Sequence, residues 1–206
     1  MQPLTPDDLL PLEEYVGRRA EFFRAHVRYL DRYRRVRLGP RLTLVFENRQ
    51  TLWFRVQELL RIARLAEPAR VRQELDWYNR LLPRRNQLAA ALLIDPPDPP
   101  EPPDPPGFWA TLPDDALRLR LGERAVGPRL VTCRPEDRSI GTAHWLEFTL
   151  DPAARSALAD FRRPARFTVG HAGYRHEGPA LNEEVRQSLV DDLLLSDRDG
   201  ELAWAA

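Results

Sequence analysis

A chain of 206 residues, 43% of them apolar and 30% charged, can bury a sizeable core as one ordinary domain or two small ones. Its mean hydropathy of −0.50 and its short longest apolar run, Leu88–Ile94, exclude a membrane-spanning helix, which needs about twenty apolar residues. The one cysteine, Cys133, excludes an intramolecular disulfide framework and any multi-cysteine metal site, and the first residues lack the layout of a secretory signal, so a soluble, cytoplasmic protein without membrane association is expected.

All 31 basic side chains are arginine, and 31 acids bring the net charge to zero. Residues 1–94 carry 18 Arg against 11 acids (net +7), and residues 95–206 carry 13 Arg against 20 acids (net −7). Either the two halves neutralise each other, or the first offers a basic face to an outside anion. Mutual neutralisation is the simpler expectation.

Thr5-Pro6-Asp7-Asp8 has the cap, proline and acid of a helix start. A helix follows from about Pro11 to Arg35. Val16, Ala20, Phe23, Val27 and Leu30 make one apolar stripe, Phe22, His26, Tyr29 and Tyr33 an aromatic one beside it, and Arg24, Arg28, Arg32 and Arg35 a cationic flank. Gly39-Pro40 breaks the chain, Leu42–Phe46 reads as a strand, and Asn48 is a plausible N-cap for a helix through about Leu65. Another helix starts at Pro68 and ends near Leu82-Pro83. Leu88–Ile94 fits a buried strand, with helix as the competing assignment.

Four acid-Pro-Pro repeats, led by Asp95, Asp98, Glu101 and Asp104, admit only a polyproline II spacer, with all four carboxylates on one edge. Beyond Gly107 the period becomes two: Leu117, Leu119 and Leu121 alternate with Arg118 and Arg120, Gly122–Gly127 is turn-like, and Leu130–Arg134 and Thr142–Leu150 are further strands. Asp151-Pro152 caps a short helix, Phe167 and Val169 fit a last strand, and a closing helix from Asn182 aligns Val185, Leu189 and Leu193. The expected fold is α+β, a helical N-terminal half packed on a mainly antiparallel sheet with covering helices. Its expected organisation is an Arg-rich helical segment with one or two strands (1–94), an acidic linker (95–107) and a sheet with two helices (108–206), sharing one core.

The blocks Phe46-Glu47-Asn48-Arg49-x-Thr51, Val56-Gln57-Glu58, Glu74 and Tyr78-Asn79-x-Leu81-x-Pro83 together resemble an uncharacterised bacterial family, domain of unknown function family 3501. Glu136-Asp137 ahead of the Trp145–Leu150 strand, and His171-x-x-Tyr174 before the last helix, are similar to its later blocks. The resemblance spans most of the chain and departs from the family at Ala172, where His-Pro-x-Tyr would place proline. It implies no particular activity or cofactor, and a setting in redox or stress physiology.

Glu47, Asn48, Arg49 and Thr51 sit where a strand hands over to a helix, so they form either an anion site at a helix N-terminus or a capping turn with Glu47 ion-paired. Gln57, Glu58 and Glu74 are polar positions in apolar helices. They are candidate metal ligands or ion-paired faces, but the Glu-x-x-His pairs of a di-iron bundle are missing, so no metal is assigned. His144 falls on the apolar side of its strand. His171, Tyr174 and His176 with Glu177 fall in a Gly-rich loop, for chemistry or for fixing that loop. Arg134, Glu136, Asp137 and Arg138 make a charged loop, either a binding rim or an ion-pair network. No nucleotide-binding glycine motif or nucleophile elbow occurs, and no cofactor is expected. The leading expectation is an accessory protein that binds a partner protein. Two alternatives stand: nucleic acid or another polyanion on Arg24, Arg28, Arg32 and Arg35, and an enzyme or metal protein using Glu47, Glu58, Glu136 and His171.

Overall fold

The computed structural model describes residues 1–96, 108–109, 112–113, 115–131 and 143–202, with backbone alone for residue 143 and residues 195–202. Residues 97–107 of the acid-Pro-Pro run lie outside these, as do Cys133, Arg134, Glu136, Asp137 and Arg138. A 3-10 turn (Pro6–Asp8) and helix α1 (Leu12–Tyr33) lead into strands β1 (Arg35–Leu38) and β2 (Leu42–Glu47), helices α2 (Arg49–Ala63) and α3 (Pro68–Asn79), and strand β3 (Gln87–Ile94). The second half supplies β4 (Leu117–Leu121), β5 (Arg124–Val126), β6 (Arg129–Val131), β7 (Ala143–Thr149), α4 (Pro152–Ala159), β8 (Ala165–His171), β9 (Tyr174–Ala180) and α5 (Glu183–Leu202).

The strands form two antiparallel sheets, β1-β2-β3-β7-β6 and β5-β4-β8-β9. The α+β expectation holds, but the N-terminal half is not merely laid on a sheet: it contributes three strands to one. In β2, Leu42, Leu44 and Phe46 enter the main core with Leu88, Ala90 and Leu92 of β3 and Leu146 and Phe148 of β7. From the other sheet come Leu117, Leu119, Phe167 and Val169; α4 and α5 add Leu158, Val185, Leu189 and Leu193. Phe46, Phe148 and Phe167 form a triangle with ring centroids 5.6 to 6.4 Å apart. A second cluster, with Leu52, Val56, Leu60, Leu75 and Leu81, joins α2 and α3, and Trp145 packs on it from the opposite face of β7.

Three strands escape the sequence reading. β1 is only four residues with alternating arginines, and β5 is three residues within a turn-like stretch. β9 (Tyr-Arg-His-Glu-Gly-Pro-Ala) carries glycine and proline, which the edge of a sheet tolerates because one side of the strand needs no ladder partner. His171, Tyr174 and His176 therefore belong to a β8–β9 hairpin, not to an irregular loop. Its two-residue turn has positive φ at both Ala172 (44°) and Gly173 (94°), the backbone of a tight hairpin turn. Proline, fixed near −65°, cannot occupy position 172 in this turn.

Helix α1 turns the aromatic one of its two stripes inward. Its aromatic stripe packs on α2: Tyr15 stacks on Phe22 (5.6 Å), Phe22 meets the edge of Trp53 (5.4 Å), and His26 stacks on Phe54 (3.9 Å). Of the aliphatic stripe, Leu30 is buried, while Val16 and Phe23 remain 52% and 46% exposed. The aromatic rings of α2 select the ring-bearing face, and the phenol of Tyr15 gains the Glu58 carboxylate as acceptor (2.8 Å).

Candidate functional site

The Glu47–Thr51 block forms the N-terminus of α2 and one end of a continuous polar seam. Asn48 caps the helix: its Oδ1 accepts from the Thr51 amide (3.0 Å), and the Thr51 hydroxyl accepts from the Asn48 amide (2.9 Å). The Glu47 side chain is fully buried, held by Arg55 (2.7 Å) and by the Thr51 hydroxyl. Arg49 turns away and pairs with Asp8, whose carboxyl it holds down to about 2 with help from the Thr5 amide. These residues thus adopt the capping and ion-paired geometry, and the positive end of α2 is engaged by its own chain.

Beyond Asn48 the seam continues through residues the sequence reading missed. The Tyr29 hydroxyl accepts from Asn48 Nδ2 (2.8 Å) and from Arg34 Nε (2.9 Å), and Arg34 in turn pairs with Asp192 on α5. Arg34 and Asp192 are almost wholly buried at the floor of a cleft of about 670 Å³ between the end of α1 and the start of α5. Burial pushes the Asp192 carboxyl above its ordinary range, against the pull of the Arg34 guanidinium. One sequence signal was present: Asp192 stands three residues after Leu189, on the apolar stripe of α5, where a carboxylate needs a partner.

Glu58 anchors a second cluster three turns along α2. Arg19 reaches it in a two-point contact (both 2.9 Å), Arg61 does the same (3.1 and 3.0 Å), and Tyr15 adds a hydroxyl. Burial alone would raise this carboxyl, but the donors from Arg19, Arg61 and Tyr15 outweigh it and hold it at about 2. Gln57 is buried beside it and donates to the Leu10 carbonyl (3.4 Å). Glu74 lies half-buried on α3. No group of three or more metal-capable side chains occurs among the described residues.

His171 sits in a third place. Its Nε2 lies 2.8 Å from the Phe108 carbonyl, and its ring packs on Phe108 and Trp109. Tyr174 donates to the Leu38 carbonyl (2.6 Å) and accepts from the Arg41 amide (3.2 Å), tying β9 to the β1–β2 turn. Gly39 makes that approach possible: at φ +71° its missing Cβ would come within 2.5 Å of the His176 ring. His144 faces the core; burial lowers its pKa against a hydrogen bond to the Trp109 backbone. The structure thus separates Glu47, Glu58 and His171 into three environments and gives each its own partners.

The cationic flank is split. Arg35 lies in β1 and pairs with Asp31, and Arg32 spreads over the Tyr33 ring (5.1 Å) with Glu184 at 4.0 Å. Arg24 and Arg28 are exposed on α1 with no ion pair among the described residues. Ion pairs form both between and within the halves: Arg34–Asp192 and Arg32–Glu184 cross, while Arg19, Arg49, Arg55 and Arg61 find carboxylates in the first half and Arg129, Arg162 and Arg166 in the second.

Fold and site together define a two-sheet α+β protein with a buried arginine–carboxylate seam. The family described as "Protein of unknown function (DUF3501)" matches residues 3–193, and the chain belongs to it. It is similar to the crystal structure of a novel protein of unknown function from Burkholderia pseudomallei K96243, with 26% identity and a TM-score of 0.80 over 93% of this chain and 100% of that one. No curated protein matches the chain. No helix among the described residues is long and apolar enough to cross a membrane.

Proposed function

We propose that the protein is an accessory protein that docks a partner protein on the outward face of α1. The observation carrying this reading is the stripe of Val16, Ala20 and Phe23, which is exposed although its spacing is that of a buried helix face, Phe23 touching only the Phe54 ring (6.3 Å) and the Arg19 guanidinium (5.6 Å) among the ring contacts of the described residues. Helices α1 and α2 run antiparallel, with Tyr15 and Arg19 at Glu58 and Tyr29 at Asn48. Ile62, one turn beyond Glu58 on α2, is a further exposed apolar side chain (69%). An exposed apolar strip rimmed by free charges is the anatomy of a protein interface. Arg24 and Arg28 beside it call for a partner whose contact surface is apolar at its centre and acidic at its rim.

The test is isolation of the untagged chain from its host with a photo-crosslinking residue at position 20, beside Phe23→Asp and Val16→Asp variants. One crosslinked partner is expected, with its yield reduced at least tenfold by either substitution and the melting temperature unchanged. A chain that elutes alone, or a partner indifferent to both substitutions, refutes the proposal. Recovery of nucleic acid, released steeply as salt rises and lost on Arg24→Glu/Arg28→Glu, favours the polyanion alternative instead.

A further inference from the structure

The outer face of the β5-β4-β8-β9 sheet is more basic than its half of the chain. Even-numbered residues of β4 and β8 point away from the core, and the registers Arg118↔Thr168, Arg120↔Arg166, Thr168↔Glu177 and Gly170↔Arg175 place all of these on one surface. Four arginines share it with one carboxylate, Glu177, which Arg166 engages. The side chains of Arg118, Arg120 and Arg175 make no hydrogen bond or ion pair among the described residues. Arg120 also stands directly across from Arg166, a like-charge pairing that destabilises a sheet unless an anion offsets it. A half-chain with net charge −7 thus concentrates unneutralised guanidinium groups on a single sheet face.

That face is also concave. A cleft of about 520 Å³ lies over Thr168 and Gly170, with Arg118 on one wall and Arg175 on the other, two strands and two residues apart or about 12 Å between backbones. Gly170 leaves its floor open, since a Cβ there would meet nothing within 4 Å. We propose that this cleft binds the phosphate group of a small phosphorylated metabolite. Arg118 and Arg175 would close on the phosphate oxygens from opposite sides, in the two-point geometry guanidinium offers, with the Thr168 hydroxyl beneath. The volume lies within the range of metabolite sites and exceeds what a bare phosphate fills. Two features disfavour a nucleic-acid strand: among the described residues no Phe, Tyr or Trp lines the cleft for a base to stack on, and Asp115 and Glu177 border it beside His171 and His176. The inference is independent of the α1 docking face.

The experiment is calorimetry and thermal shift at low ionic strength, using inorganic phosphate, pyrophosphate, ribose 5-phosphate and a single-stranded RNA decamer as probes. Wild type is expected to bind ribose 5-phosphate and to rise in melting temperature with its concentration, as mass action requires. Inorganic phosphate should bind more weakly. Arg118→Gln/Arg175→Gln should weaken binding at least thirtyfold, Arg70→Gln/Arg72→Gln on the exposed side of α3 should leave it unchanged, and Glu177→Gln, which frees Arg166, should tighten it severalfold. The Glu177→Gln gain keeps the test decisive if the double variant folds poorly. Absence of binding by all three small phosphates at 10 mM, affinity insensitive to Arg118 and Arg175, or binding of the RNA alone would overturn the proposal.

Discussion

At the scale of single residues the acids that invite a chemical reading are already committed. Glu58 is depressed to about 2 by donors from Arg19, Arg61 and Tyr15 that outweigh its burial, and Asp8 reaches about 2 through Arg49. Both ionise more readily folded than unfolded, so their stabilisation is complete above the ordinary carboxylate range and is lost as pH falls from about 5 towards 2. His26 is lowered to about 4, by burial first and then by Arg55 and Arg35. The unfolded chain therefore takes up its proton first, and stability should decline as pH drops from about 6.5 to 4. Urea melts across that window should show a shallower decline for His26→Phe than for wild type. Ala172 offers a gain: glycine at its positive φ should raise stability by ~0.5–1 kcal/mol in the same assay. The Asn48 cap and the Glu47 ion pair were legible because a cap is a local signal. The partners of Glu58 were not, since Arg19 lies 39 residues away and sequence spacing carries no record of such meetings.

Among the elements, α1 shows what periodicity can and cannot say. Two adjacent stripes each satisfied the helical spacing, and only the partner helix could choose between them. Trp53 and Phe54 of α2 chose the aromatic one, leaving Val16, Ala20 and Phe23 outside. Substituting Phe22 by alanine should therefore cost ~3–5 kcal/mol in denaturant melts, whereas Phe23→Ala, at the same spacing but outward, should cost under about 1 kcal/mol. Long strands such as β2, β3 and β7 could be read because apolar runs or strict alternation marked them. The short β1 and β5 and the Gly-Pro-bearing β9 could not, because their pairing is fixed by neighbours rather than by their own composition.

For the whole molecule, the charge asymmetry leads one to expect attraction between the halves, and two ion pairs that cross them are Arg34–Asp192 and Arg32–Glu184. The crossing pair that is buried, Arg34–Asp192, matters most. Arg34→Met alone should destabilise by ~3–5 kcal/mol because it strands a buried carboxylate, and Arg34→Met/Asp192→Leu should recover most of the loss. A denaturation double-mutant cycle measures this, and additive costs would refute it. The division of the described strands between two sheets was beyond the sequence, because neither an apolar run such as β3 nor an alternating strand such as β4 records which sheet receives it.

Helix α5 has a consequence for the birth of the protein. It brings Val185, Leu189 and Leu193 to the space between the sheets and supplies the only carboxylate that Arg34 meets among the described residues. The ribosome makes this helix after every described strand, so a nascent chain that has completed those strands still carries an open apolar gap and a guanidinium without its carboxylate. Maturation should thus come as one late event, and chains interrupted before Leu189 should be cleared by proteases rather than accumulate half-made.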